Sequence, residues 1–286
     1  MSFRSYDEVA GADRSGLLNQ VLAQRARVTE RLARVRRVVA VMSGKGGVGK
    51  SYVTALLARG AANRKGRQIG VLDADLKSPT CARMLGAKGP VRVGENGAEP
   101  VVGLDGVRLF STDLLLEDGK PLTWKEPDAE RFLWRGALET GALREFLSDV
   151  AWGDLDLLII DLPPGADRLD DLAALVPGIT GTVAVTIPSE ESRRSVERSI
   201  RTALDAGIPV LGIVENMSGY ACEHCSNVGR LFEGNAGDVL SGTFGIPLLG
   251  KLPFRQEGQE MYASHTSSAA YASSTSLIDA FLGTLS

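Results

Sequence analysis

Val38-Val39-Ala40-Val41-Met42-Ser43-Gly44-Lys45-Gly46-Gly47-Val48-Gly49-Lys50-Ser51 decides the fold. A short apolar run, Val38–Met42, ends in glycines and is followed by a helical stretch, Ser51–Asn63. Between them Gly44, Gly49, Lys50 and Ser51 occupy every fixed position of G-x-x-x-x-G-K-[ST]. Glycines let the backbone curl so that several N–H groups converge on phosphate oxygens. The helix starting near Lys50 adds the positive end of its dipole. Lys50 brings a point charge to the phosphates, and the Ser51 hydroxyl suits Mg²⁺. The bland alternative, a glycine-rich strand–helix turn, explains the glycines but not the Lys-Ser pair that follows them.

Outward from this loop the chain alternates short apolar runs with helical stretches. Strands are expected at Ile69–Leu72, Val107–Phe110, Leu155–Ile160, Thr182–Ile187 and Pro209–Val214. Helices are expected at residues 16–37, Pro79–Leu85, Ala129–Val150, Ser189–Ala206 and Leu277–Leu282, with Ser264–Ser276 a loose connection to the last. Residues 90–116 suggest a hairpin followed by a strand. Uniformly apolar strands separated by helices indicate an α/β fold, a mostly parallel central sheet with helices on both faces. No linker separates domains; residues 38–286 read as one unit and 1–37 as an N-terminal helical extension. Asp161 ends an apolar strand, the pattern that holds an Mg²⁺-bound water beside a phosphate loop, and Pro163-Pro164-Gly165 follows at once. Asp73 and Asp75 close another strand at the same edge. One of them could orient an attacking water, and Asp75 is the candidate; the alternative for both is helix or turn capping.

Bulk properties exclude several classes. The 286 residues are 44% hydrophobic and 23% charged, ordinary for a globular protein and against disorder over most of the chain. A formal net charge of −3 gives no general nucleic-acid-binding surface. No apolar run is long enough to span a bilayer, and the N-terminus has no apolar secretory region. Three cysteines make no disulfide framework, so a cytoplasmic protein with reduced thiols is expected. Arg25, Arg27, Arg31, Arg34, Arg36 and Arg37 make one helix basic: either a solvated face beside the first strand or a patch for an acidic partner.

Lys45 is a second lysine inside the loop. Lys-Gly-Gly-Val-Gly-Lys-Ser resembles the deviant loop of the nitrogenase iron protein, MinD and ParA class of P-loop ATPases. In that class the early lysine reaches across a dimer interface to the partner's nucleotide. Further segments resemble the Mrp/ApbC family of iron–sulfur cluster carrier ATPases: Leu72-Asp73-Ala74-Asp75 with Pro79, Trp134-Arg135-Gly136, Trp152-Gly153-Asp154-Leu155-Asp156, Ile160–Gly165, Gly212–Ser218 and Cys222-Glu223-His224-Cys225. The likeness runs from about Val38 to about Pro253. It implies a P-loop NTPase that binds ATP and Mg²⁺ through Gly44, Lys45, Gly46, Gly47, Val48, Gly49, Lys50, Ser51, Tyr52, Asp73 and Asp161. It further implies that Asn216 recognises adenine and that the turn around Pro253 lies near the base. Departures from the family pattern are Ala166-Asp167-Arg168 for Thr-Gly-Asp, Tyr52 for Thr, Ser78 for Gly and Ile187-Pro188-Ser189 for Thr-Pro-Gln. The first of these alters the loop that couples nucleotide state to the rest of the molecule.

Cys222 and Cys225 form C-x-x-C in a Gly- and Ser-flanked loop. Alone this is a redox pair, half a zinc site or an accident. Two thiolates cannot complete a Cys₄ site, but a symmetric dimer supplies four. With the resemblance, the expectation is a homodimer bridging one [4Fe–4S] cluster and passing it to apo iron–sulfur proteins, with slow ATP hydrolysis dependent on Lys45, Lys50 and Asp75. The competing functions are a MinD/ParA-like positioning ATPase and a nucleotide-binding regulator with little turnover. No Lys or Arg follows Arg255, which speaks against a basic membrane-targeting tail. His224 reads as a solvated loop residue and Cys81 as a small buried one.

Overall fold

The computed structural model describes residues 17–64, 66–115, 141–166, 168–176, 178–221, 228–254 and 269–285. In chain order the elements are α1 (Leu17–Leu32), β1 (Val38–Ser43), α2 (Lys50–Ala62), β2 (Ile69–Asp73), α3 (Cys81–Met84), β3 (Arg92–Gly94), β4 (Gly97–Glu99), β5 (Val101–Val102) and β6 (Arg108–Phe110). They continue with β7 (Leu157–Asp161), α4 (Arg168–Leu175), β8 (Gly181–Thr186), α5 (Glu190–Asp205), β9 (Val210–Ala221), β10 (Val228–Gly229), α6 (Ala236–Phe244), β11 (Leu248–Phe254) and α7 (Ala269–Thr284). Residues 141–149 are also helical.

Nine strands form one sheet in the order β10-β9-β8-β1-β7-β2-β6-β5, with β11 on the other side of β9. The pairings β1–β7, β1–β8, β2–β7, β2–β6, β8–β9 and β9–β11 are parallel; β5 and β10 pair antiparallel at the margins. Alternation along each strand divides the core in two. Val39, Val41, Leu157 and Ile159 face α2, α3 and α7, while Val38, Ala40, Met42, Leu158 and Ile160 face α1, α4, α5 and residues 141–149. A strand buried on both faces must be apolar throughout, which is why β1 and β7 carry no sequence alternation.

The sheet also explains where the expected elements differ. The helix expected over 16–37 ends at Leu32, because Val35 pairs with Leu155 and the chain is already extending toward β1. Arg31 donates to Ser148 O at 3.1 Å, Arg34 pairs with Asp154 and Arg36 with Asp156, so these arginines tie the helix and its exit to the segment that leads into β7. Residues 269–276, expected as loose connection, are helical; Leu277, Ile278 and Phe281 further along α7 are buried against β11 and α2. The strand expected at Pro209–Val214 continues to Ala221. Elements α4, α6 and β11 were not expected at all. The expected helix over Ala129–Val150 is borne out only at 141–149; its earlier part, with Trp134-Arg135-Gly136, lies outside the described residues.

Ile159 is fully buried in the central strand β7. Ile159→Ala is expected to lower stability by ~2–5 kcal/mol through lost transfer energy and a cavity. Val102→Ala on the marginal strand β5, where the side chain is 63% exposed, should stay within about 0.5 kcal/mol. Urea unfolding midpoints compare the two.

Candidate functional site

Beyond β1 the chain turns through Gly44–Gly49 into α2. Gly47 and Gly49 hold φ of 79° and 78°, the left-handed region open to glycine at little cost. Gly49 caps α2, so the first amides of that helix open on the loop. Lys50 and Ser51 begin the helix and turn toward the end of β7. The Lys50 ammonium lies 2.7 Å from Asp161 Oδ2, and Ser51 Oγ donates to the same oxygen at 2.5 Å. One turn on, Thr54 Oγ1 donates to Asp161 Oδ1 at 2.6 Å. Asp161 is fully buried. A buried carboxylate is tolerable only when paired and hydrogen-bonded, and these groups meet that requirement.

Parallel register sets Asp73 directly beside Asp161. Asp73 Oδ2 accepts the Thr80 and Cys81 amides, both at 3.0 Å, and Ser111 Oγ at 3.2 Å; Oδ1 accepts the Asp75 amide at 3.2 Å. Of its two expected roles the capping role is therefore the one in view: Asp73 braces the turn into α3 from a fully buried position. Burial, and then repulsion from Asp161, push its carboxyl up to about 7. Cys81 is buried as expected, and its thiol donates to Asp161 Oδ2 at 3.7 Å. Burial and the two carboxylates push that thiol up, so it is held protonated.

Asp75 stands differently. It is partly exposed, accepts the Ser78 amide at 3.2 Å, and lines a cleft of about 190 Å³ with Lys77, Pro163, Pro164 and Arg168. Pro164 also approaches the loop, where a Cβ on Gly46 would lie 3.9 Å from its ring. The cleft thus joins the Asp75 segment to the Pro163-Pro164 turn, which borders the loop. Asn216 Nδ2 donates to Val48 O at 2.9 Å, so Asn216 fastens the loop from β9. Tyr52 packs against the core on the α2 side, and Lys45 is half-buried on the loop. Cys222, His224 and Cys225 lie outside the described residues; β9 ends at Ala221, immediately before them. Sequence reasoning missed Thr54, one helical turn after Ser51, which helical spacing could have supplied. It also missed Ser195, whose hydroxyl donates to Gly44 O at 2.6 Å from 151 positions away, with no sequence signal.

The family of ParA, NUBPL iron-transfer P-loop NTPases matches residues 34–284. The chain belongs to this family. It is 39% identical over 244 residues to the iron–sulfur cluster carrier protein of Methanocaldococcus jannaschii, covering 84% of this chain and 81% of that one. With the cytosolic Fe-S cluster assembly factor NUBP2 of Homo sapiens it shares 38% over 265 residues, covering 88% and 94%. Among solved structures it is similar to a nucleotide-binding protein in complex with ADP from Archaeoglobus fulgidus, with a TM-score of 0.69, 34% identity and coverage of 88% and 92%. The cell division ATPase MinD of Pyrococcus furiosus, at 21% identity and TM-score 0.58 over 88% and 100%, shares the fold.

Membership gives the loop its general reading as the nucleotide site of an iron–sulfur carrier P-loop NTPase. The oxygen donors Ser51 Oγ and Asp161, already at hydrogen-bonding distance, are the hard ligands or outer-sphere acceptors that Mg²⁺ favours, so the residues present fit that ion.

The raised Asp73 pKa carries a sign. Its folded value of about 7 lies above the ordinary 3.8. The stability it contributes is full below the ordinary value and lost as pH rises through the folded one. Wild type is therefore expected to lose more stability between about pH 4 and pH 7 than Asp73→Asn does, read from urea midpoints across that window.

Proposed function

We propose that this chain works as a homodimeric ATPase that carries a [4Fe–4S] cluster on Cys222 and Cys225 of both subunits and hands it to apo iron–sulfur proteins in the cytoplasm. Residues 38–286 form the ATPase unit and 1–37 its helical extension. The observation that carries this reading is continuity: β9 runs from Asn216, bonded to the phosphate loop, to Ala221, the residue before Cys222. The strand that holds the nucleotide loop thus ends one residue before the cysteine pair in sequence. The carrier names of relatives at 38–39% identity support the cargo. Among the described residues no helix is long and apolar enough to cross a membrane.

Each residue has a role in this scheme. The loop amides and the N-terminus of α2 receive the β- and γ-phosphates. Phosphate competes with Asp161 for Lys50, which carries the charge. Ser51 and Asp161 would hold Mg²⁺, which when bound neutralises phosphate charge. Asn216 and the turn at Pro253 border the base. Asp75, open to the cleft beside Pro164, orients the attacking water. Lys45 stabilises charge on the γ-phosphate of the partner subunit's nucleotide. Turnover is slow, and the altered segment Ala166-Asp167-Arg168 sets how hydrolysis is coupled to cargo release. Because each subunit supplies two of four thiolates, a small change in subunit placement opens the cluster site, and ATP and cluster affinities are reciprocally linked.

Asp75→Asn and Lys45→Ala are expected to bind ATP while releasing phosphate at well under a tenth of the wild-type rate, roughly the loss of one charge-stabilising group. Equal steady-state rates in both variants would overturn these roles. Cys222→Ala and Cys225→Ala, reconstituted anaerobically, should lose their iron and visible absorption yet keep ATP affinity, whereas Cys81→Ala should keep its iron. Full iron content in either of the first two, or zinc in its place, would leave an ATPase without this cargo.

A further inference from the structure

Three carbonyls of the phosphate loop are turned outward onto side-chain donors. Ser43 Oγ donates to Lys45 O at 3.1 Å, Asn216 Nδ2 to Val48 O at 2.9 Å and Ser195 Oγ to Gly44 O at 2.6 Å. The arrangement has an electrostatic logic. A loop carbonyl facing inward would set its negative end against an anion, whereas one held outward leaves the amides to converge. Ser43 belongs to β1 itself, and Asn216 sits at the far end of the loop on β9. Ser195 is the one of the three that acts at the loop's first residue, and it comes from a helix.

That helix is unusually close. A Cβ on Gly44 would lie 2.3 Å from the Ser195 carbonyl carbon and 2.5 Å from its Oγ, so only glycine lets α5 approach to this distance. The placement of α5 is itself fixed at its start. Ser189 Oγ accepts the Ser192 amide at 3.2 Å, and Ser192 Oγ lies 2.9 Å from Thr186 Oγ1 at the end of β8 and accepts the Ile187 amide at 3.2 Å. Val196, Ile200 and Ala203 seat the same helix in the core. Ser195 is therefore presented on a rigid support rather than on a loop.

Gly44 O belongs to the peptide whose N–H is that of Lys45. A bond to this oxygen sets the plane from which Lys45 departs. Among the described residues the Lys45 ammonium forms no ion pair, so the Gly44–Lys45 peptide is the fixed point from which its flexible side chain starts.

We propose that Ser195 is a positioning residue for Lys45: its hydrogen bond to Gly44 O orients the Gly44–Lys45 peptide and so aims the Lys45 ammonium for ATP hydrolysis. The proposal rests on the reading of Lys45 as the group that stabilises γ-phosphate charge. Ground-state binding of ATP is shared among Lys50, the α2 N-terminus and several loop amides, so the single peptide that Ser195 holds supplies only a small part of it. Loss of the bond should therefore appear in kcat and not in affinity.

The test uses the full-length protein. Alanine is a better helix former than serine, so Ser195→Ala is suited to leave α5 intact. Its kcat for ATP hydrolysis is expected to fall about ten- to a hundredfold, as misplacement of a catalytic group does. Its Kd for ATP, from calorimetry, should stay within about twofold of wild type, the signature of an interaction realised in the transition state. Ser195→Cys, similar in size but a weak donor, is read by the same criteria and serves if the alanine variant does not fold. An unchanged kcat, or a Kd weakened by the same factor as kcat, overturns the proposal. Lys45→Ala in the same assay separates the two readings. If Lys45→Ala turns over like wild type, the role given to Lys45 fails and takes the Ser195 assignment with it. If Lys45→Ala is slow while Ser195→Ala is not, the Ser195 assignment alone fails.

Discussion

A fully buried carboxylate, Asp161, is the constraint around which this molecule is organised. Burying an ion costs several kcal/mol unless it is paired and its remaining lone pairs are satisfied. Lys50, Ser51 and Thr54 from α2 and Cys81 from α3 all reach it. The pairing between Lys50 and Asp161 holds the N-terminus of α2 at the end of β7, and with it the phosphate loop. The second carboxylate, Asp73, enters because the parallel register leaves it nowhere else to go. It is accommodated by donors from the turn into α3, so the segment bearing Asp75 is braced by the same cluster.

The loop is held from outside as much as it is shaped from within. Glycines at positions 47 and 49 permit the left-handed backbone, but permission alone leaves many loop conformations. Ser43, Ser195 and Asn216 select among them by taking up carbonyls. The elements that supply these donors, β1, α5 and β9, are neighbours only because β8 and β9 add to one side of β1 in the sheet. β9 then extends past Asn216 to Ala221, so a strand that fastens the nucleotide loop also leads to the cysteine pair. Met217, with φ of 54°, follows Asn216 at once, and the pairing with β11 shifts register beyond it between Leu252 and Phe254.

Some elements were hidden for definable reasons. Arginine-rich residues 25–37 carry a helical pattern to their end, yet Val35 joins a strand bridge because tertiary pairing outweighs a weak local propensity. The serines before Leu277 resemble linker composition. Ser273, Ser274 and Ser276 are helical because the same helix buries Leu277, Ile278 and Phe281 farther along. The helices α4 and α6 are only eight and nine residues long, too short for a period to stand out, and the apolar run of β11 is interrupted by Gly250, Lys251 and Pro253. The arginines that suggested an acidic partner are in good part occupied: Arg31 by backbone carbonyls, Arg34 by Asp154 and Arg36 by Asp156.

By itself the amino-acid sequence determined the α/β class, the phosphate loop with Lys45, Lys50 and Ser51, the acid at Asp161 and the membership of the carrier family. These are legible because loop, strand and helix signals lie within a few residues of each other, where local chemistry dictates local shape. The tertiary structure alone decided that Asp73 braces a turn while Asp75 faces a cleft, although both close the same strand. It alone brought Thr54 to Asp161 and Ser195 to Gly44. Those contacts span 107 and 151 positions. Which side chains meet across such distances is set by strand order and register, and no spacing along the chain encodes either.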